Sequence, residues 1–255
     1  MSPTVADHIV DRLAAWGVEL VYGYPGDGIN GLTSALRRAR DRIGFVQARH
    51  EEGAAFMACA HAKFGGGLGV CLVTSGPGAT HALNGLYDAM LDHQPVLAIV
   101  GQQPRPALGT RTHQEIDLGA LFKDVAHEYV QTAMHPSQAA HLVDRAARIA
   151  LDQRTVTCVI VPNDLQECDF EPAPHLRPSG DFTTPTVLPA KRDLERAAAV
   201  LNEGERPALL VGQGALHATD AVIAVAERLR AGVAKALLGK AALPDELPWG
   251  SWSGW

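Results

Sequence analysis

Two short stretches decide the fold: Arg49-His50-Glu51-Glu52-Gly53-Ala54-Ala55 and Thr74-Ser75-Gly76-Pro77-Gly78-Ala79-Thr80. Each begins where an apolar, strand-like run ends, and each finishes inside an alanine-rich, helix-like run. A carboxylate stands at the boundary in the first, and a Gly-Pro-Gly turn in the second. A short continuous apolar run, closed by a turn and followed by a helix, is one step of a parallel sheet covered on both faces. The same step recurs outward in both directions. Strands are predicted at 20–24, 43–48, 69–73, 95–100, near 128–132 and at 157–161. Helices are predicted at 29–39, 51–64, 79–91, near 118–125 and at 137–151. An earlier helix is capped by Thr4 and ended by Gly17. The fold class is α/β, a parallel sheet with helices on both faces.

A shorter unit follows. Residues 167–189 are dense in proline and acids and show no sustained periodicity, so they are predicted to form a linker. Beyond them come a helix at 191–201, a strand at 208–211, the turn Gly212-Gln213-Gly214-Ala215, a helix at 218–229 and a strand at 233–237. This is a partial, Rossmann-like α/β unit of about 60 residues, a size that buries only about 60% of its unfolded surface. The chain thus divides into 1–166, a linker at 167–189, and an incomplete central domain at 190–255. Trp249, Trp252 and Trp255 crowd the last seven residues. Such a tail reads either as an aromatic segment docked on the sheet or as the trace of a frame change, and its composition favours truncation.

Bulk properties exclude several function classes. A hydrophobic content of 47% with 20% charged residues describes an ordinary globular chain. A net charge of −6 gives no basic footprint for nucleic acid. No basic region followed by an apolar run opens the sequence, so no signal peptide is expected and the location expected is cytoplasmic. Apolar runs such as 96–100 are too short for stable membrane insertion. The four cysteines form no CxxC pair, and they read as small buried hydrophobes. The eleven histidines show no HxxxH or HExxH spacing, so no protein metal site is expected.

Glu51 is the first candidate for chemistry. An acid at the carboxyl end of a strand lies at the edge where open α/β sheets place ligands. It also lies at a helix N-terminus, where the dipole favours an acid, and Glu51 or Glu52 could simply cap that helix. Gly76 and Gly78 allow close approach of backbone to a ligand, or an ordinary strand-to-helix turn. Gly212-Gln213-Gly214 after a strand is a weak phosphate-cradling signal.

The Arg-His-Glu-Glu-Gly-Ala run, followed by Thr-Ser-Gly-Pro-Gly-Ala-Thr, resembles the pyrimidine-binding half of a thiamine-diphosphate enzyme. The continuation Asn84-Gly85-Leu86-Tyr87-Asp88-Ala89, then Asp92-His93-Gln94-Pro95, looks closest to the pyruvate oxidase and pyruvate:quinone oxidoreductase branch. Acetolactate synthases are similar. The resemblance implies that Glu51, the acid directly after the histidine, hydrogen-bonds N1′ of the cofactor's aminopyrimidine. This favours the imino tautomer that takes the proton from the thiazolium C2. It further implies cofactor-binding roles for Pro25 and Gly26, within Val21-Tyr22-Gly23-Tyr24-Pro25-Gly26, and for Thr74, Pro77, Gly78 and His81. Thr112-His113-Gln114-Glu115 resembles a Phe-Gln-Glu motif whose glutamine, here Gln114, reaches toward the reacting centre. His113 replaces the usual phenylalanine, and His81 stands where many relatives carry asparagine.

The implied activity is decarboxylation of pyruvate or a related 2-oxo acid to a C2-bound enamine, then oxidation or ligation. The implied cofactors are thiamine diphosphate and Mg²⁺, with FAD compatible with a full-length parent. In the family, Mg²⁺ is held on a separate domain by Gly-Asp-Gly followed by a downstream Asn. That pattern is missing here, because Gly26-Asp27-Gly28 lies in the first turn without the downstream Asn. The chain is therefore expected to supply half a site and to be inactive alone. The other half would come from a homo-oligomer or a partner chain. The alternatives are an acetolactate synthase-like ligase, one subunit of a split enzyme, and a non-catalytic module that kept the fold.

Overall fold

The computed structural model describes residues 2–170, 187–247 and 251–252. Two compact units divide between Pro185 and Thr186. In the first unit, helix α1 (Val5–Ala15) starts from a reciprocal capping box between Thr4 and Asp7, which satisfies two backbone donors that a helix start leaves open. Its buried stripe is Val5, Ala6, Ile9, Val10 and Leu13, the spacing of one helical face. There follow β1 (Leu20–Gly23), α2 (Asn30–Arg38), β2 (Gly44–Gln47), α3 (Glu51–Ala60), β3 (Gly69–Val73) and α4 (Pro77–Leu91). Then come β4 (Val96–Gln102), α5 (Leu118–Phe122), β5 (Val130–Thr132), α6 (Ala139–Gln153), β6 (Val156–Pro162) and the short α7 (Asn163–Gln166).

The six strands form one sheet in the order β2-β1-β3-β4-β6-β5, and every pairing is parallel. Every residue of β3, β4 and β6 is buried, as expected for strands with helices on both sides. Alternate side chains enter separate cores. Val70, Leu72, Leu97, Ile99, Val159 and Val161 pack with residues of α1, α2 and α6. Cys71, Val73, Ala98, Val100, Cys158 and Ile160 pack with residues of α3, α4 and α5. The period of two along a strand thus builds a three-layer sandwich, as the apolar runs predict.

Three details differ from the sequence expectation. The helix expected over 51–64 is α-helical only to Ala60 and continues as a π-helical turn, His61–Gly65. There Tyr22 Oη and His61 Nδ1 stand 3.1 Å apart. The helix expected near 118–125 is a five-residue segment capped by the Asp117 side chain, because the chain must turn to enter β5. The first residues of the expected linker are tied to the first unit. Val5 N–H donates to Cys168 O, and Phe170 N–H donates to Pro3 O. Thr4 and Asp169 form an antiparallel bridge. The rest of the proline-rich segment, 171–186, lies outside the described residues.

The second unit contains α8 (Lys191–Glu203), β7 (Ala208–Val211), α9 (Thr219–Leu229), β8 (Gly232–Lys235) and β9 (Ser251–Trp252). Its three strands are parallel in the order β7-β8-β9. Val211, Ala226, Val233, Ala242 and Leu243 form its core. Lys235 is nearly fully buried, and its ammonium donates to Leu243 O and pairs with Asp245. Trp252 pairs through its backbone with Ala234, whereas Trp249 and Trp255 lie outside the described residues. Among the described residues, no helix is long and apolar enough to cross a membrane.

Candidate functional site

In the first unit the strand order reverses between β1 and β3: β2 lies to one side of this pair, and β4 and β6 to the other. Such a switch point opens a crevice at the carboxyl ends of the strands, where doubly wound sheets bind ligands. Both candidate turns lie at this edge. The turn after β1 carries Pro25, Gly26 and Gly28, and the turn after β3 carries Thr74 to Gly78. They are tied together, because Thr74 Oγ1 accepts the Gly28 N–H at 3.1 Å. Buried Gln166 braces the first turn from behind. Its Nε2 donates to Gly28 O at 2.8 Å and to Val161 O at 3.0 Å, and its Oε1 accepts from Leu32 N–H.

Two glycines of the second turn are required by space and by backbone angle. A Cβ on Gly78 would lie 2.7 Å from Thr74 Cγ2 and 3.1 Å from Glu51 Oε1. Gly76 has φ +62°, and a Cβ there would lie 2.6 Å from the carbonyl oxygen of Gln114. Gln114, itself at φ +65°, therefore crosses directly over the Gly76 turn. Gln103 secures this crossing by donating from Nε2 to His113 O at 2.9 Å and to Ser75 Oγ at 3.3 Å. Pro77 opens α4 at its first position, where the missing N–H is no loss.

Glu51 is the first residue of α3 and is 8% exposed. Its Oε2 lies 3.0 Å from His81 Nδ1 on the adjacent helix α4. The His50 ring stacks on the His81 ring with centroids 4.4 Å apart, while His50 Nδ1 accepts the Glu52 N–H at 3.3 Å as the cap of α3. Glu52 points elsewhere and accepts from Asn84 Nδ2. The two carboxylates are thereby separated by environment: Glu51 is buried at the crevice, and Glu52 is partly exposed between helices. Among the described residues, no hydrogen bond reaches Glu51 Oε1, so one carboxyl oxygen faces the Gly78 side with its bonding capacity unspent.

Of the residues singled out from sequence, Gly26, Glu51, Thr74, Gly78 and His81 form one linked cluster. A Cβ on Gly26 would lie 2.7 Å from Thr74 Cβ. Gln114 joins this edge through Gly76, and Pro25 and Pro77 stand exposed on the turns. Sequence reasoning missed three supporting residues. His50 was signalled only by its place next to Glu51, and nothing in the local pattern marked Gln103 or Gln166.

Residues 3–121 match the family model described as thiamine pyrophosphate enzyme, N-terminal TPP binding domain. Residues 194–254 match the model for the central domain of the same enzymes. The chain belongs to the thiamine pyrophosphate enzyme family. The first match runs from just before the cap of α1 into α5 and so includes both turns and Glu51. The second covers β7 to β9 and most of the tryptophan tail. Pyruvate oxidase of Lactiplantibacillus plantarum is 35% identical over 241 residues, which are 94% of this chain and 40% of that protein. Acetolactate synthase of Arthrospira platensis is 36% identical over 254 residues, 96% of this chain and 43% of that protein. The Bacillus subtilis protein YdaP is 37% identical over 253 residues, 96% of this chain and 42% of that protein. This thiamine pyrophosphate family chain therefore spans about two fifths of the length of each of these three relatives.

The residues at this edge are compatible with the thiamine diphosphate that the family's domains imply. They offer a buried carboxyl, one oxygen of which accepts no hydrogen bond among the described residues, beside two turns packed so closely that a Cβ on Gly26 or Gly78 would strike Thr74.

Proposed function

We propose that this chain supplies the aminopyrimidine half of a thiamine-diphosphate site, and that Glu51 is the acid hydrogen-bonded to ring nitrogen N1′. The observation that carries this is the buried Glu51 carboxyl at the strand switch point, clamped on one oxygen by His81 and open on the other. When bound, thiamine diphosphate supplies the electron sink on which a 2-oxo acid loses carbon dioxide. Everything else here belongs to the protein. His81 fixes Glu51 Oε2, so the remaining hydrogen bond is presented at Oε1. Thr74, Gly26 and Gly78 form the wall against which a flat ring lies. Gln114, carried over Gly76, lies at the edge where a substrate carboxylate or carbonyl would arrive.

The substrate is pyruvate or a related 2-oxo acid, and oxidation or ligation follows decarboxylation. The likeness to a pyruvate oxidase supports the first outcome, and the likeness to an acetolactate synthase the second. The diphosphate and its Mg²⁺ would be held by residues other than these 255, since the Gly-Asp-Gly pattern with its downstream Asn is not among them.

The test is titration of the ¹⁵N-labelled chain with a free 4-aminopyrimidine fragment of thiamine, followed by amide shifts. Shifts are expected at Glu51, Gly78 and His81. Glu51→Ala should weaken the interaction by about 1.5–3 kcal/mol, the scale of a hydrogen bond to a charged group. Shifts scattered away from this edge, or equal affinity in Glu51→Ala, would remove the proposal.

A further inference from the structure

The contact between His50, Glu51 and His81 carries a second chemistry. One nitrogen from each ring and one Glu51 oxygen all lie within 4.8 Å of one another. Two donors bound tetrahedrally to one ion at about 2.1 Å stand about 3.4 Å apart. His81 Nδ1 and Glu51 Oε2, at 3.0 Å, are already near that spacing. The remaining closure falls to His50 and His81, whose side chains are 52% and 45% exposed, so both rings have room to turn. The donors come from two helices that lie side by side, not from one flexible loop. We propose that these three residues form a binding site for a borderline divalent cation, Zn²⁺ in particular, with water completing the shell.

The donor set decides the metal class. Two imidazoles and one carboxylate suit Zn²⁺ and its neighbours, whereas Mg²⁺ demands an all-oxygen octahedron and keeps its waters. Three protein ligands with an open position is the arrangement of an accessible zinc site rather than a closed structural one. At His81 the ion takes the place of the proton that Nδ1 shares with Glu51. At His50, coordination through Nδ1 exchanges the long cap bond from Glu52 N–H for a metal bond. Both ligand rings must be deprotonated at the coordinating atom, so binding releases protons and weakens toward acid. An ion seated here engages the same carboxyl that is proposed to meet an aminopyrimidine, so the two ligands would exclude each other. The ion site itself does not depend on that reading.

Calorimetric titration of the full chain with ZnCl₂, in the absence of any thiamine compound, tests the site. One equivalent is expected to bind, with affinity falling roughly tenfold or more in both His50→Ala and His81→Ala. Zinc binding that neither substitution affects, or no binding at all, would overturn the proposal. Mg²⁺ binding that both substitutions remove would overturn the assigned ligand chemistry. Should either variant fail to fold, ring-nitrogen NMR of the wild-type chain decides. Zinc-induced shifts at His50 and His81 support the site, and shifts confined to other histidines overturn it. Because no aminopyrimidine is present, failure here leaves the thiamine reading standing, and failure of the fragment titration leaves this site standing.

Discussion

His8 shows what a single residue can impose on the unit. Its ring stacks on Phe170 with centroids 3.8 Å apart, and its Nε2 is buried without a hydrogen-bond partner among the described residues. Burial is the main cause holding its pKa below the ordinary imidazole value; Arg12 pushes the same way, and Asp11 and Asp144 oppose. The sign follows from linkage. The unfolded chain takes up this proton near pH ~6.5 while the folded chain resists it, so stability is full above that pH and declines as pH falls through it. The melting temperature should drop between about pH 7.5 and about pH 5.5, and His8→Phe should flatten that drop. Asp7 and Asp164, whose pKa values are lowered, act mainly below that window, since an unperturbed aspartate titrates near ~3.9. A variant that loses stability with acid as steeply as the wild type would sink the assignment. At this scale the sequence exposed Glu51, because an acid between an apolar run and a helix is visible in one dimension. It hid the His50–His81 stack, because the partners are far apart in sequence and meet only when α3 and α4 lie side by side.

The pairing of α3 and α4 is the element on which the site depends. The two helices approach so closely at Gly85 that a Cβ there would lie 2.6 Å from Phe56 N and 2.7 Å from Ala55 Cβ. Ala54, Ala55, Ala58, Ala82 and Ala89 are buried in the same core cluster, which leaves no space to absorb a larger side chain. Gly85→Val should therefore destabilise the chain by about 1–3 kcal/mol in urea melts, the usual cost of overpacking. It should also disturb the His81 ring resonances, since the helices that align His81 with Glu51 are pushed apart. Gly53→Ala is the contrast. It sits in α3 with nothing within 4 Å of its would-be Cβ, and should be neutral or up to ~1 kcal/mol stabilising. Equal losses in the two variants would refute the close-packing account. The existence of both helices was legible from their alanine-rich runs. The π-helical end of the first was not, because the partner that His61 meets there, Tyr22, is distant in sequence and comes beside it only in the folded chain.

At the scale of the whole molecule, the parallel sheet and its two helical layers were legible in the period-two division of apolar strands. The strand order was not, because nothing local to β1 says that β3, and not β4, will lie beside it. Yet that order places the crevice, so the candidate site is a product of topology as much as of motif. One further consequence comes from the staple at the unit's ends. Residues 3–5 pair with 168–170, so the described stretch 2–170 of this unit nearly closes on itself, its two ends adjacent. Across the unit, Gly66 and Gly67 are exposed, at positive φ, with open space around them. A circularly permuted unit that starts at Gly67, joins 170 to 2 through a short glycine linker and finishes at Gly66 should keep a cooperative thermal transition and the same far-UV spectrum. The order in which the chain is read would then prove secondary to the ring of contacts it closes.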